Sequence, residues 1–129
     1  MARILVIDDD VMVRDVVAQV LTRNGHTVVQ AADGIDGVAR LSAAPADLVI
    51  TDLVMPGTAG IEIIGALHRD FPSLKIIAMS GSLVASNYLR IAEFMGARHT
   101  LQKPFSADEL VSIVNEALGR DHTPLLEPI

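Results

Sequence analysis

Acids, a hydroxyl and an ammonium stand at the ends of four short segments of this chain. Ile4 to Ile7 stops on Asp8-Asp9-Asp10, Leu48 to Ile50 on Thr51-Asp52, Ile76 to Met79 on Ser80, and His99 to Gln102 on Lys103. If these segments are parallel strands of one sheet, their polar ends converge at a single edge. Carboxylates, a hydroxyl and an ammonium gathered there suit phosphoryl transfer around a hard divalent cation.

Each residue type brings its own chemistry. Asp8, Asp9 and Asp52 within a few ångströms of one another repel by on the order of 4 kcal/mol per close pair at an effective dielectric constant of about 20. A cation, or a proton on one of them, must offset that repulsion. An all-oxygen cluster suits Mg²⁺, which keeps several waters and leaves positions open for phosphate oxygens. Adjacent strand residues point to opposite faces, so Asp8 and Asp9 converge only if the strand bends at its end. Asp10 serves equally well as a helix cap. Asp52 is the natural nucleophile, because a carboxylate can attack a phosphoryl group and hold it as an acyl phosphate. Ser80 can donate a hydrogen bond to a phosphoryl oxygen, and Gly81 beside it leaves the approach uncrowded. Lys103 supplies a point charge to balance the incoming group, and a cis Lys103–Pro104 bond would turn its ammonium inward.

The elements that must position these groups follow from hydrophobic spacing. β-branched runs near residues 3–8, 26–31, 46–51, 74–80 and 98–102 alternate with segments of helical period, as in right-handed strand–helix–strand units. Several runs are apolar at consecutive positions, which fits a parallel sheet covered on both faces. Val13, Val16, Val17, Val20 and Leu21 form one stripe of a first helix that stops at Asn24-Gly25. Asp33, with Asp36 three residues on, opens a second helix that runs to about Ala43. Ile61, Ile64, Leu67 and Phe71 mark a third, closed by Pro72. A fourth, about Val84 to Met95, spreads Val84, Tyr88, Leu89, Ile91, Phe94 and Met95 round more than one face and stops at Gly96. That surplus either faces a partner or is a plain excess of apolar residues. Ser106 and Glu109 form a capping box ahead of Leu110, Ile113, Val114, Ala117 and Leu118.

Composition limits what such a site can belong to. A chain of 129 residues holds one domain with a real core. Hydrophobic residues make up 50% and aromatics 3%, so the core is built from Val, Ile, Leu and Ala. A net charge of -6, with no basic run, argues against nucleic acid as a direct partner. The absence of cysteine suits a reducing compartment. The first apolar run is too short for a signal segment or a membrane span, which places the protein in the cytoplasm without a membrane partner. No glycine-rich nucleotide fingerprint is present, and His26, His68, His99 and His122 lack ligand spacing. The expected organisation is one domain over residues 1–119, with 120–129 as a tail or linker and no effector domain.

Asp8-Asp9 after the first strand, Asp52 after the third with Met55-Pro56 behind it, Ser80-Gly81 after the fourth and Lys103-Pro104-Phe105 after the fifth closely resemble response-regulator receiver domains of two-component signalling. The resemblance covers residues 3 to about 118. It implies a flavodoxin-like fold, a doubly wound parallel sheet of five strands in the order 2-1-3-4-5. It implies a phosphoryl group passed from a histidine kinase or phosphotransfer protein to Asp52, and a signalling phosphoacceptor rather than an enzyme. Mg²⁺ would be held by Asp9, Asp52 and the backbone carbonyl of Val54, with Asp8 acting through water. Ser80 and Lys103 would contact the phosphoryl group and bias the surface of the fourth helix, fifth strand and fifth helix toward a downstream protein target. A homodimer is left open. Receivers usually carry Tyr or Phe where this chain has Thr100, so switching here depends on backbone shifts or on Tyr88. Apolar Val54 and small Ser82 position an attacking water poorly, which implies a long-lived phosphoryl group.

Two rivals share parts of the pattern. Asp8-x-Asp10 with Ser80 and Lys103 also resembles haloacid-dehalogenase phosphatases, whose nucleophile would be Asp8, but that class has no role for Asp52. A binding module of the same fold that no longer takes phosphate would not need Asp8, Asp9, Asp52, Ser80 and Lys103 all intact.

Overall fold

The computed structural model describes residues 2–55, 58–81 and 86–119, leaving out the side chains at 54, 55, 58–61, 86–89 and 94. The β-branched runs form five strands: β1 (Arg3–Ile7), β2 (Thr27–Ala31), β3 (Leu48–Asp52), β4 (Lys75–Ser80) and β5 (His99–Gln102). They pair in parallel in the order β2-β1-β3-β4-β5, the flavodoxin-like arrangement. Between and after them lie α1 (Val11–Arg23), α2 (Gly34–Ala43), α3 (Gly60–Asp70), α4 (Ser86–Met95) and α5 (Ala107–Ala117). Beyond β3, Val54–Met55 and Thr58–Ala59 pair as a short antiparallel ladder, which was not among the elements expected from sequence.

Both faces of the sheet are covered, and the two-residue period of the strands divides the core between them. Leu5, Ile7, Val49, Ile76 and Ala78 pack with Leu41 of α2, Ile63, Ile64 and Leu67 of α3 and Ala92 of α4. Ile4, Val6, Leu48, Ile50, Ile77 and Met79 pack with Val17 and Leu21 of α1 and Leu110 and Val114 of α5. Each fully buried aliphatic side chain contributes about 1.5–3 kcal/mol. These two layers hold the strand ends in a common frame.

The helix starts are chemical. Asp10 Oδ1 accepts from the Met12 N–H at 2.9 Å, and Asp33 Oδ1 from the Asp36 N–H at 2.8 Å. At α5 the Glu109 N–H donates to Ser106 Oγ at 3.0 Å while Glu109 Oε1 accepts from the Ser106 N–H at 2.8 Å, a complete capping box.

Helical period overstated one face and understated another. Val16 was expected in the α1 stripe but is 56% exposed, because α1 meets the sheet through Val17 and Leu21. Ile63, absent from the expected stripe of α3, is buried beside Ile64. Ile91 and Met95 on α4 are exposed. Val84, the side chains of Ile61, Tyr88, Leu89 and Phe94, and residues 120–129 lie outside the described residues.

Gly96 ends α4 with φ 136°, and a Cβ built there would stand 2.7 Å from His68 Cβ on α3. Gly96→Ala is therefore expected to destabilise the fold by about 1–3 kcal/mol, through left-handed strain and forced separation of α3 from α4. Urea unfolding monitored by circular dichroism measures the change.

Candidate functional site

Strand register builds the rim. Ile7 pairs with Thr51, Asp52 with Met79, and Ser80 with Gln102, so Asp8, Asp52, Ser80 and Lys103 arrive side by side at the carboxyl ends of four adjacent strands. The chain reverses its direction of progress between β1 and β3, where ligands of open parallel sheets bind.

Asp8 is fully buried, and Asp52 and Ser80 are 5% and 1% exposed; Asp9 is exposed above them. One carboxylate oxygen from each of Asp8, Asp9 and Asp52 lies within 4.8 Å of the others, so the three could hold a metal ion. Lys103 Nζ donates to Asp8 Oδ2 at 2.8 Å and to Asp52 Oδ2 at 3.2 Å. Burial works against the Lys103 charge, but its bonds and Coulomb attraction to Asp8 and Asp52 outweigh burial, and its pKa is raised above the ordinary lysine value. The Lys103–Pro104 peptide is cis. The Lys103 N–H donates to Ser80 O at 2.7 Å and the Leu53 N–H to Met79 O at 2.9 Å, tying the ends of β3, β4 and β5 together.

The buried Ser80 Oγ has no hydrogen-bond partner among the described residues. An unsatisfied buried hydroxyl costs about 1–3 kcal/mol, so the site is suited to an oxygen-rich ligand that would accept its proton. Gly81 adds no bulk: a Cβ there would meet no described atom within 4 Å.

The residues singled out from sequence therefore meet at one rim: Asp8, Asp9 and Asp52 as a cluster, Lys103 bonded to two of them, Ser80 at the neighbouring strand end. Thr100 is half-buried on β5, in register with Ala78. Val54 belongs by its backbone to the short ladder after β3; its side chain and all of Ser82 lie outside the described residues. Sequence reasoning missed Arg14, whose Nη1 donates to the Asp8 carbonyl oxygen at 2.6 Å. Its signal was its isolation, as the one basic residue between Arg3 and Arg23, a turn past the acids.

A family model described as the response regulator receiver domain matches residues 4–115. The chain is 38% identical over 127 residues to the DNA-binding transcriptional regulator NtrC of Azospirillum brasilense, covering 98% of this chain and 26% of that protein. It is 33% identical to the response regulator MprA of Mycobacterium ulcerans, covering 92% of this chain and 50% of that one. The chain thus spans a quarter to a half of the length of these curated relatives. Among solved structures, the receiver domain of NtrX from Brucella abortus superposes with TM-score 0.86 at 30% identity, over 92% of this chain and 99% of that one. A CheY-like receiver domain protein from Methanospirillum hungatei gives TM-score 0.87 at 27% identity, over 92% and 94% of the two chains.

Asp9 adds a negative charge to a cluster in which Lys103 bonds Asp8 and Asp52. In metal-free buffer Asp9→Asn is expected to unfold at a higher urea concentration than wild type, by on the order of 1 kcal/mol of relieved repulsion. An unchanged or lower midpoint would show that the repulsion is already compensated.

Proposed function

The chain belongs to the response-regulator receiver family, and from that premise we propose that it accepts a phosphoryl group on Asp52 from a histidine kinase or phosphotransfer protein. The observation that carries this reading is the Lys103 ammonium shared between Asp8 and Asp52, next to a buried Ser80 hydroxyl without a described partner. An Asp52 carboxylate oxygen forms the new bond to phosphorus as the P–N bond to the donor histidine breaks, and the imidazole nitrogen keeps the electron pair. Lys103, already held at Asp52, meets the charge of the arriving oxygens, and Ser80 donates to one of them.

The acidic cluster fits Mg²⁺ by donor chemistry: hard carboxylate oxygens, converging from two strand ends, with no nitrogen or sulfur among them. Asp9, Asp52 and the Val54 carbonyl would hold the ion, with Asp8 acting through water. When bound, it supplies positive charge to the phosphoryl oxygens and offsets the repulsion among the three acids.

Stored on Asp52, the phosphoryl charge draws Ser80 inward and biases the α4–β5–α5 surface between two states that a downstream protein distinguishes. With Thr100 in place of an aromatic, backbone shifts or Tyr88 would carry that bias. The protein turns over its own phosphoryl group only, and acts in the cytoplasm; no described helix is long and apolar enough to cross a membrane. DNA binding is named for relatives of which this chain spans a quarter to a half, and a net charge of -6 supports no nucleic-acid contact by this segment.

Acetyl phosphate with Mg²⁺ is expected to add one phosphoryl group to the wild type and none to Asp52→Asn, read by intact mass. Removing Mg²⁺ with a chelator should abolish the addition. Label that survives Asp52→Asn but disappears in Asp8→Asn would instead support the phosphatase-like reading. The aspartyl phosphate is expected to persist for minutes or longer at neutral pH, since Val54 and Ser82 offer no acid, amide or base to orient water; decay within seconds would contradict this.

A further inference from the structure

A straight strand cannot aim Asp8 and Asp9 at one point, because neighbouring side chains leave it on opposite faces. β1 ends at Ile7, and the Asp8–Asp9 peptide lies beyond it. The carbonyl oxygen of that peptide accepts from Arg14 Nη1 at 2.6 Å, and Nε of the same guanidinium donates to Gln30 Oε1 on β2 at 3.3 Å. The Asp8 N–H donates to Ala31 O on β2 at 3.2 Å, and Asp8 Oδ1 accepts from the Asp10 N–H at 2.9 Å. Asp10 in turn caps the helix that carries Arg14.

We infer that Arg14, braced on Gln30, is a positioning residue that sets the Asp8–Asp9 peptide and so brings both carboxylates to the cation beside Asp52. One peptide plane joins the two acids, so fixing its carbonyl fixes the direction in which Asp9 leaves relative to Asp8. A guanidinium suits the task because its rigid fork reaches oxygens on two elements at once. Because it grips a carbonyl and not a carboxylate, it constrains the turn without occupying a ligand oxygen. Gln30, on the neighbouring strand, holds the fork in place, so β2 reaches the site through a side chain that touches no phosphoryl group.

This inference rests on the Mg²⁺ site proposed above, and its test separates the two. Mg²⁺ is titrated into wild type, Arg14→Ala, Arg14→Lys and Gln30→Ala, with affinity read from the backbone amide resonances of residues 8–10. Arg14→Ala is expected to weaken Mg²⁺ binding about tenfold or more, the usual loss when a group that orients ligands is removed. Arg14→Lys keeps the charge but loses the fork and is expected to weaken binding as well, with Gln30→Ala showing a smaller loss. At saturating Mg²⁺, phosphorylation of Arg14→Ala by acetyl phosphate should return close to the wild-type rate, because the ion itself then gathers the acids. A merely structural arginine would lower stability and leave the affinity of the folded protein unchanged. Wild-type affinity in Arg14→Ala overturns the inference. Should that variant fail to fold, wild-type affinity in Arg14→Lys overturns it, since charge alone would then suffice. If the wild type binds no Mg²⁺, the functional reading itself fails.

Discussion

Three carboxylates at one rim of a sheet repel one another, and a single ammonium, Lys103, bonds two of them. That imbalance governs the site. Asp8 and Asp52 are buried, so water screens them poorly and their charges must be met locally. Lys103 does so from β5's end, 95 residues along the chain from Asp8. A second cation at Asp9 would complete the neutralisation, and an arriving phosphoryl group would redistribute it. The sheet tolerates this concentration of charge because two apolar layers, one on each face, hold the strand ends where the acids alone would push them apart.

The same imbalance prepares the protein to respond. Lys103 is engaged with carboxylates that a phosphoryl group would alter, while the buried Ser80 hydroxyl lacks a described acceptor. Both groups sit at the ends of β4 and β5, and the bond from the Lys103 N–H to Ser80 O joins the two strand ends directly. Half-buried Thr100 gives β5 no aromatic side chain at that position.

Much of this was legible along the chain because it is local. A cap is an acid or hydroxyl at a fixed distance from a backbone N–H, and Asp33, Asp10 and Ser106 all accept as their spacing implies. The parallel strands read as apolar runs because both of their faces are covered. Period, by contrast, gives the width of a stripe without saying which edge meets a neighbour. Val16 looked like core and stands in solvent, whereas Ile63 was passed over and is buried. The ladder after β3 pairs Val54–Met55 with Thr58–Ala59, which has no hydrophobic run of its own, and the isolation of Arg14 marks that residue without showing that it reaches the Asp8 carbonyl.

Residue types and their order along the chain determined the strand–helix alternation, the caps and the inventory of acids, hydroxyl and ammonium, since each depends on contacts within a few residues. Tertiary structure decided that β1 lies between β2 and β3, that the end of β1 turns so Asp8 and Asp9 share a centre with Asp52, and that Lys103 bonds two acids rather than solvent. Those outcomes depend on segments dozens of residues apart packing at fixed register, where the free energy of the whole core, and not any local preference, sets the geometry.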